Sequence, residues 1–419
     1  MLLRFRVSNY RSLRDEQELS MIASSLEDSQ GAVLRPDGLD LGVLPVAALY
    51  GANAAGKSNV LAALEFMREA VKSSHRVWPP EGKVPLDPFL FDPLREGGAS
   101  TFEVDFLFAG VRYRYGFTLD RVRVRREWLS AYPNRREQVW FLRDVEAEEP
   151  FVFGKHLKGS NKTIASLTRA NSLFLSAAAE NNHQSLFPVY SWFWDQLFSV
   201  QSNREMTDTL QTMKEEEKRL AIVDLVRFAD LGIVDVRLKE RALEPMRRMM
   251  LSALELGGSS LEAKLTLTLE LSHRSNDNSE VIFSLDQESH GTRSWLSLIG
   301  PLLNVLDRGA ILLVDELDAS LHPYLALEFV RLFQDLSRNP KRAQLIFTSH
   351  NTTLLGNLLD GPHLRRDQVW FVDKDGQGAT HLYPLTDFTP RKEENLERGY
   401  LQGRYGAVPF IEVPLVQGE

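Results

Sequence analysis

The chain has 419 residues, 43% hydrophobic and 25% charged, with 26 glycines and 19 prolines; these values fit two or three globular units and exclude fibrous, collagen-like and disordered classes. The absence of cysteine removes disulfides, thiolate nucleophiles, iron–sulfur clusters and Cys-bearing zinc sites. A formal charge of −8 excludes a protein coated in positive potential, so any contact with nucleic acid must come from a local basic patch.

The opening Met1-Leu2-Leu3-Arg4-Phe5-Arg6 alternates apolar and basic residues where a signal peptide needs an unbroken apolar stretch, and runs such as Ala310–Val314 are far short of a membrane span. The sequence therefore reads as a soluble cytoplasmic protein with no membrane partner. Period-two alternation at Leu3–Val7, Thr101–Phe108 and Val111–Tyr115 predicts a strand-rich first part. One helix interrupts it over 59–72, where Val60, Leu61, Leu64, Met67 and Val71 recur at helical spacing.

Beyond residue 150 the period changes. Met206, Leu210 and Met213 are followed by the charge run Lys214–Arg219 and then by Leu220, Val223 and Val226, which predicts a mostly helical segment, too short in heptads for a long coiled coil. After Gly257-Gly258-Ser259-Ser260, strand signals resume at Lys264–Leu269. Ile311–Val314 and Gln344–Phe347 read as buried parallel strands alternating with helices over 295–306 and 325–336. The expected organisation is a strand-rich part over 1–150, a helical insertion over 151–260 and a second α/β part over 261–419.

Gly51-Ala52-Asn53-Ala54-Ala55-Gly56-Lys57-Ser58 satisfies G-x-x-x-x-G-K-[ST], with a strand signal before it and a helix signal after it. Such a loop cradles phosphates with backbone N–H groups and the helix N-terminus. Gly51, Asn53, Gly56 and Asn59 belong to that cradle, Lys57 reaches the β and γ phosphates, and Ser58 offers a hydroxyl to Mg²⁺. Ile311–Val314 then delivers two carboxylates at a strand end. Asp315 is the candidate for the Mg²⁺ shell, and Glu316 for positioning the water that attacks the γ-phosphate. ATP and Mg²⁺ are the implied cofactors.

Ser289-His290-Gly291 precedes Asp315 by one helix, and Thr348-Ser349-His350-Asn351 follows the next strand. This order resembles the ATP-binding-cassette heads of the chromosome-maintenance, DNA-repair and overcoming-lysogenisation-defect ATPases. The resemblance implies an α/β P-loop fold with a mixed central sheet and an antiparallel β lobe. It also implies that Ser289 and Gly291 donate to ATP held by a second subunit, that His350 senses the same γ-phosphate, and that Asp318–Pro323 makes dimer contacts. Two features depart from the pattern: His290 stands where a glycine is usual, and no glutamine occurs between Lys57 and Gln138.

Three further stretches, Phe5–Ser12, Thr101–Val104 and the tail Leu396–Pro409, look like the RloA- and AbiL-type abortive-infection ATPases of bacteria. That resemblance implies a homodimer or higher homo-oligomer that controls a separate effector, such as a Toprim nuclease, in defence against phage. An ATP-binding scaffold that cages an effector with negligible turnover is the alternative of another class. A DNA-repair ATPase working with a nuclease is a third, disfavoured by the short insertion.

Residues 111–143 hold nine arginines against three acids, a local charge of +6 (9 − 3). Arg121, Arg123 and Arg125 at period two are expected on one strand face, with Arg112 and Arg114 across a hairpin, and the Arg112–Arg143 stretch could grip a phosphate backbone; a solvated, neutralised hairpin is the preferred reading. Asp373-Lys374-Asp375-Gly376 has the D-x-D of metal nucleases, but too little sequence follows it for such a domain, and its flanks predict a β-hairpin turn. Trp192, Phe193 and Trp194 are expected in the core of the helical segment.

Overall fold

The computed structural model describes residues 1–26, 32–200, 206–229, 231–242, 265–356, 363–391 and 394–408. The Gly257–Ser260 break, Lys264 and Pro409 lie outside the described residues. The chain divides into two compact units, the first comprising Met1–Ser199, Val305–Asp318 and Ala326–Glu419, the second Val200–Asn304 and Ala319–Leu325. Among the described residues no helix is long and apolar enough to cross a membrane.

The first unit holds two sheets. The antiparallel one has the order β2-β1-β4-β5-β6-β7-β8, formed by β1 (Leu2–Ser8), β2 (Gln17–Ser20), β4 (Ser100–Phe108), β5 (Val111–Leu119), β6 (Val124–Tyr132), β7 (Gln138–Asp144) and β8 (Phe151–Phe153). The other has the order β16-β15-β3-β14-β13-β9, from β3 (Val46–Tyr50), β9 (Leu197–Val200), β13 (Ile311–Val314), β14 (Gln344–Ser349), β15 (Val369–Lys374) and β16 (Thr380–Pro384). In it β15, β3, β14 and β13 run parallel, and β16 returns antiparallel beside β15. Every residue of β3, β13 and β14 is buried, which is why β3, β13 and the centre of β14 read as short apolar runs. This is the α/β P-loop architecture expected from the sequence, with a mixed central sheet and an antiparallel lobe.

The register decides where chemistry can occur. Ser349 lies opposite Tyr50, Val314 opposite Phe347 and Phe371 opposite Tyr50, so four parallel strands end along one edge. Ligands of open α/β sheets bind at that edge. The helix Lys57–Ser73 starts there and buries Val60, Leu61, Leu64, Met67 and Val71 on one face.

The segment expected to be one helical insertion is divided between the units. Helices Asn161–Leu167, Phe174–Glu180 and Phe187–Asp195 belong to the first unit, because their aromatic residues cover the antiparallel sheet: Trp192 stacks on Phe106 at 4.1 Å between ring centroids, and Phe193 meets Tyr115 at 5.6 Å. Trp194 instead is half exposed, with the Lys72 ammonium 4.5 Å from its ring centroid. The second unit contains helices Thr207–Thr212 and Glu216–Phe228 and an antiparallel sheet of β10 (Ile233–Ala242), β11 (Leu265–Arg274) and β12 (Glu280–Ser284). It also contains most of the helix His290–Arg308, which presses on Thr207–Thr212 so closely that a Cβ at Gly300 would stand 2.4 Å from Thr209 Cα.

One buried carboxylate ties the first unit's helices to its sheet. Glu127 on β6 is fully buried and accepts from the Phe174 and Leu175 N–H groups at 2.6 and 3.0 Å and from the Tyr115 hydroxyl at 2.9 Å. It thus caps a helix N-terminus from another element. Arg143 stands 3.8 Å away and donates to Ser172 O at 2.7 Å. Glu127→Ala strands two buried N–H groups and a buried guanidinium, so it is expected to cost about 3–5 kcal/mol. Scanning calorimetry reads this as a lowered unfolding temperature; an unchanged one would refute the capping role.

Candidate nucleotide site

The loop after β3 bends into a cradle because two residues adopt positive φ, Ala54 at 61° and Gly56 at 110°. Gly56 can do this without strain, and it leads directly into the helix at Lys57. Above the loop lies a cavity of about 480 Å³ lined by Asn53, Ala54, Gly56, Lys57, Ser58, Asn59, Glu316, His350 and Lys374. Lys57 folds back onto the loop, donating to Gly51 O at 2.9 Å and Ala52 O at 3.0 Å, with His350 Nδ1 at 3.5 Å. Burial pushes the Lys57 ammonium down to about 8, and partial burial with the Lys57 charge pushes the His350 imidazole below its ordinary value. The cradle holds its cation at a cost that a phosphate would relieve.

The carboxylates are arranged by a threonine. Thr348, at the end of β14, donates from Oγ1 to Asp315 Oδ1 at 2.7 Å and accepts from the Glu316 N–H at 2.7 Å, while Leu317 N–H bonds to Thr348 O at 3.0 Å. Glu316 itself sits at φ 51°, a conformation a glutamate adopts only when its surroundings impose it. Ser58 Oγ donates to the same Asp315 Oδ1 at 3.0 Å. A hydroxyl and a carboxylate in contact are hard oxygen donors of the kind Mg²⁺ takes beside substrate phosphates, and they fit that ion. Among the described residues no group of three acidic or histidine side chains forms a metal site without a nucleotide.

The β15–β16 hairpin holds the loop from the other side. A Cβ at Gly51 would stand 2.2 Å from Val372 O, and one at Gly56 would stand 2.1 Å from Thr380 Oγ1. Asn59 Nδ2 donates to Ser12 Oγ at 2.6 Å, and Thr380 Oγ1 lies 2.7 Å from both Ser12 Oγ and Ala55 O. Ala55 O can only accept, so Thr380 spends its single hydroxyl proton there and Ser12 is the donor to Thr380. Asn59, expected as a nucleotide contact, lines the cavity while its amide is engaged in this relay.

Sequence reasoning thus missed Thr348, Thr380, Ser12 as a bonding group, and Lys374. The signals existed in part, since Ser12 and Thr348 stand inside stretches singled out for other residues. Ser289 and Gly291 lie in the second unit. Ser289 caps the helix His290–Arg308, accepting from Thr292 N–H at 3.1 Å, and a Cβ at Gly291 would stand 2.9 Å from Ser320 O. Gly291 and Ser320, in the stretch after Asp318, are therefore packed together within that unit.

The arginine stretch differs from expectation. Arg121 and Arg123 lie in the 120–123 turn, which Asp120 closes by accepting from the Val122 and Arg123 N–H groups at 2.8 and 2.9 Å. Arg112 and Arg114 lie opposite Tyr132 and Ser130, at the far end of the β5–β6 hairpin from Arg125, so the expected shared face does not exist. Arg112, Arg114, Arg121, Arg125, Arg126, Arg135 and Arg143 each lie within 4.0 Å of a carboxylate oxygen, but only Arg125 and Arg126 pair with the Asp144–Glu149 run expected to neutralise the hairpin; the others pair with Asp105, Glu96, Asp40 and Glu127. Asp375 accepts from Gln377 and Ala379 N–H groups at 2.9 and 2.8 Å and closes a hairpin turn, not a metal site.

A phosphate loop between a buried parallel strand and a helix, with two carboxylates at the end of a second strand, defines a P-loop ATPase. Residues 46–356, about three quarters of the chain, match the family described as AAA domain, putative AbiEii toxin, type IV TA system. The chain belongs to that AAA family. No curated protein matches it. Among solved structures it is similar to the SMC head domain from Thermotoga maritima, at TM-score 0.40 and 14% identity over 91% of this chain and 98% of that one. A Smc head bound to the C-terminal domain of ScpA from Pyrococcus furiosus gives 0.37 and 12% over 93% and 97%. The fold assignment rests on the strand order and the family rather than on these likenesses.

Gly51→Ala drives a methyl into the Val372 carbonyl and must displace either the loop or the hairpin. We expect nucleotide affinity to fall at least about tenfold, since the loop's N–H groups lose their common aim. Titration with a fluorescent ATP analogue measures it; affinity within twofold of the unaltered chain would show that the hairpin does not shape the loop.

Proposed function

We propose that the protein is an Mg²⁺-dependent ATPase acting as a nucleotide-switched homodimer, the ATPase component of a bacterial anti-phage, abortive-infection system that controls a separate effector such as a Toprim nuclease. The observation that carries the reading is the hydroxyl bridge of Thr348 between Asp315 and the Glu316 backbone at the mouth of the phosphate cradle. In this reading Ser58 and Asp315 hold Mg²⁺, which offsets charge on the phosphates. Lys57 exchanges its two carbonyl partners for phosphate oxygens, and Gly51, Asn53 and Gly56 shape the loop around them. Glu316 orients the attacking water, and His350 reads the terminal phosphate from the β14 side.

Dimerisation is what the resemblance of Ser289-His290-Gly291 to the cassette heads implies. Ser289 and Gly291 stand at the start of a helix of 19 residues, a backbone arrangement suited to phosphate. In this reading a second copy's ATP is their partner. Closure over two shared nucleotides gives a two-state element, and coupling worth about 1–3 kcal/mol per site is enough to hold or release an effector. The family description names a putative toxin. Seven paired arginines disfavour the Arg112–Arg143 stretch as a nucleic-acid face.

Three outcomes test this. Lys57→Ala is expected to abolish nucleotide binding, whereas Glu316→Gln binds ATP and turns over at least about a hundredfold more slowly, measured by phosphate release. Unchanged turnover in Glu316→Gln would remove that residue's role, and an unaltered protein that binds but never hydrolyses would favour the caging scaffold. Light scattering of Glu316→Gln with Mg²⁺ and ATP should give twice the monomer mass; a monomer under those conditions contradicts the switch. Phage plating on cells expressing this chain alone should show neither protection nor toxicity, both of which require the effector.

A further inference from the structure

The cavity wall contains one charged group that neither the phosphate loop nor the carboxylate strand supplies. Lys374 is the last residue of β15, exposed, and it lines the cavity together with Lys57, Glu316 and His350. Its ammonium has no hydrogen-bond or ion-pair partner among the described residues. Of the two acids beside it in sequence, Asp373 accepts from the Lys374 backbone N–H at 2.7 Å, and Asp375 is engaged by its own turn and by Arg14 and His381, each at 3.4 Å.

The lysine's backbone is fixed against the phosphate loop by three independent contacts. β15 runs parallel to β3 with Phe371 opposite Tyr50, so its next residue, Val372, meets Gly51 and its carbonyl fills the space a Cβ there would need. Lys374 pairs across the hairpin with Thr380, and Thr380 is bonded to Ala55 O at 2.7 Å and to Ser12 O through its N–H at 2.7 Å. Strand order then places Lys374 on β15, the loop on β3, His350 on β14 and Glu316 after β13. Lys374 and His350 therefore flank the loop on opposite sides.

Charge gives the reason a ligand would use it. Without Lys374 the lining charges of Lys57 and Glu316 offset each other, and Asp315, bonded to Ser58, adds a negative charge beside them, a poor match for a polyphosphate. Lys374 supplies a second cation, and a lysine ammonium binds phosphate as a point charge without needing bidentate geometry.

We propose that Lys374 is a second lysine contact to the nucleotide, gripping the phosphate chain on the flank away from Glu316 and His350, and so contributing alike to ATP and ADP. The proposal rests on the cradle's being a nucleotide site. Because the lysine reaches the site from the hairpin, it also makes β15 and β16 part of the binding machinery, not merely neighbours of it.

The test is titration of the full chain with fluorescent ATP and ADP analogues in Mg²⁺, comparing Lys374→Ala and Lys374→Arg with the unaltered protein. Lys374→Ala should weaken ATP and ADP by a similar factor of about ten, the size of one charge-assisted hydrogen bond. Lys374→Arg should recover most of the loss, and the nucleotide-free unfolding temperature should stay unchanged in both. Affinities within twofold of the original for both nucleotides would overturn the contact. A loss confined to ATP would overturn the flank, placing the lysine at the terminal phosphate. Unaltered protein that binds neither nucleotide would instead overturn the nucleotide reading and this proposal with it.

Discussion

Four parallel strands ending along one edge is the constraint from which the site follows. Hydrogen-bonded register between β15, β3, β14 and β13 fixes those ends to within a residue, and each end releases a different group: Lys374, the phosphate loop, Thr348 with His350, and Asp315 with Glu316. None of these could be placed by its own loop alone, because a loop lacks the packing to hold a side chain to sub-ångström precision. The buried apolar strands supply that rigidity. A one-residue slip in β14 would move Thr348 off Asp315 and leave the Glu316 N–H unsatisfied.

How far the site could be read in advance depended on whether its determinants were local. The phosphate loop and the Asp315-Glu316 pair were legible because each is a short pattern next to a period that names its element. Thr348, Ser12 and Thr380 were not, because their roles are relations between distant segments: Ser12 meets Thr380 across 368 positions, and Thr348 meets Asp315 across 33. A serine or threonine carries no mark in sequence that it will bridge two loops. Lys374 stands in the middle of a D-x-D whose acids the turn explains, and nothing local marks the lysine between them as facing a loop more than 300 residues away.

The errors have physical causes as well. Period two through Arg121, Arg123 and Arg125 imitates a strand, but Asp120 captures the backbone N–H groups of Val122 and Arg123 and makes a turn where the pattern promised an extended face. Local side-chain bonding outcompeted the ladder. The division of the helical segment arose differently. Trp192 and Phe193 have a large apolar area to bury, and the aromatic face of the antiparallel sheet, with Phe106 and Tyr115, accommodates it, so that helix joins the first unit whatever its period.

The tail, noticed in the sequence as a family mark, has a physical place beside the site. Phe371 of β15 is stacked by Tyr400 at 5.4 Å and by Tyr405 at 5.5 Å, and Tyr383 of β16 donates to Tyr405 O at 3.0 Å. The tail thus covers the hairpin that carries Lys374. It also reaches the opposite flank, where Thr352 donates to Glu397 at 2.8 Å, two residues beyond His350. One segment after the last strand thus touches both flanks of the phosphate loop, the β15–β16 hairpin through Tyr400 and Tyr405 and the turn beyond β14 through Glu397.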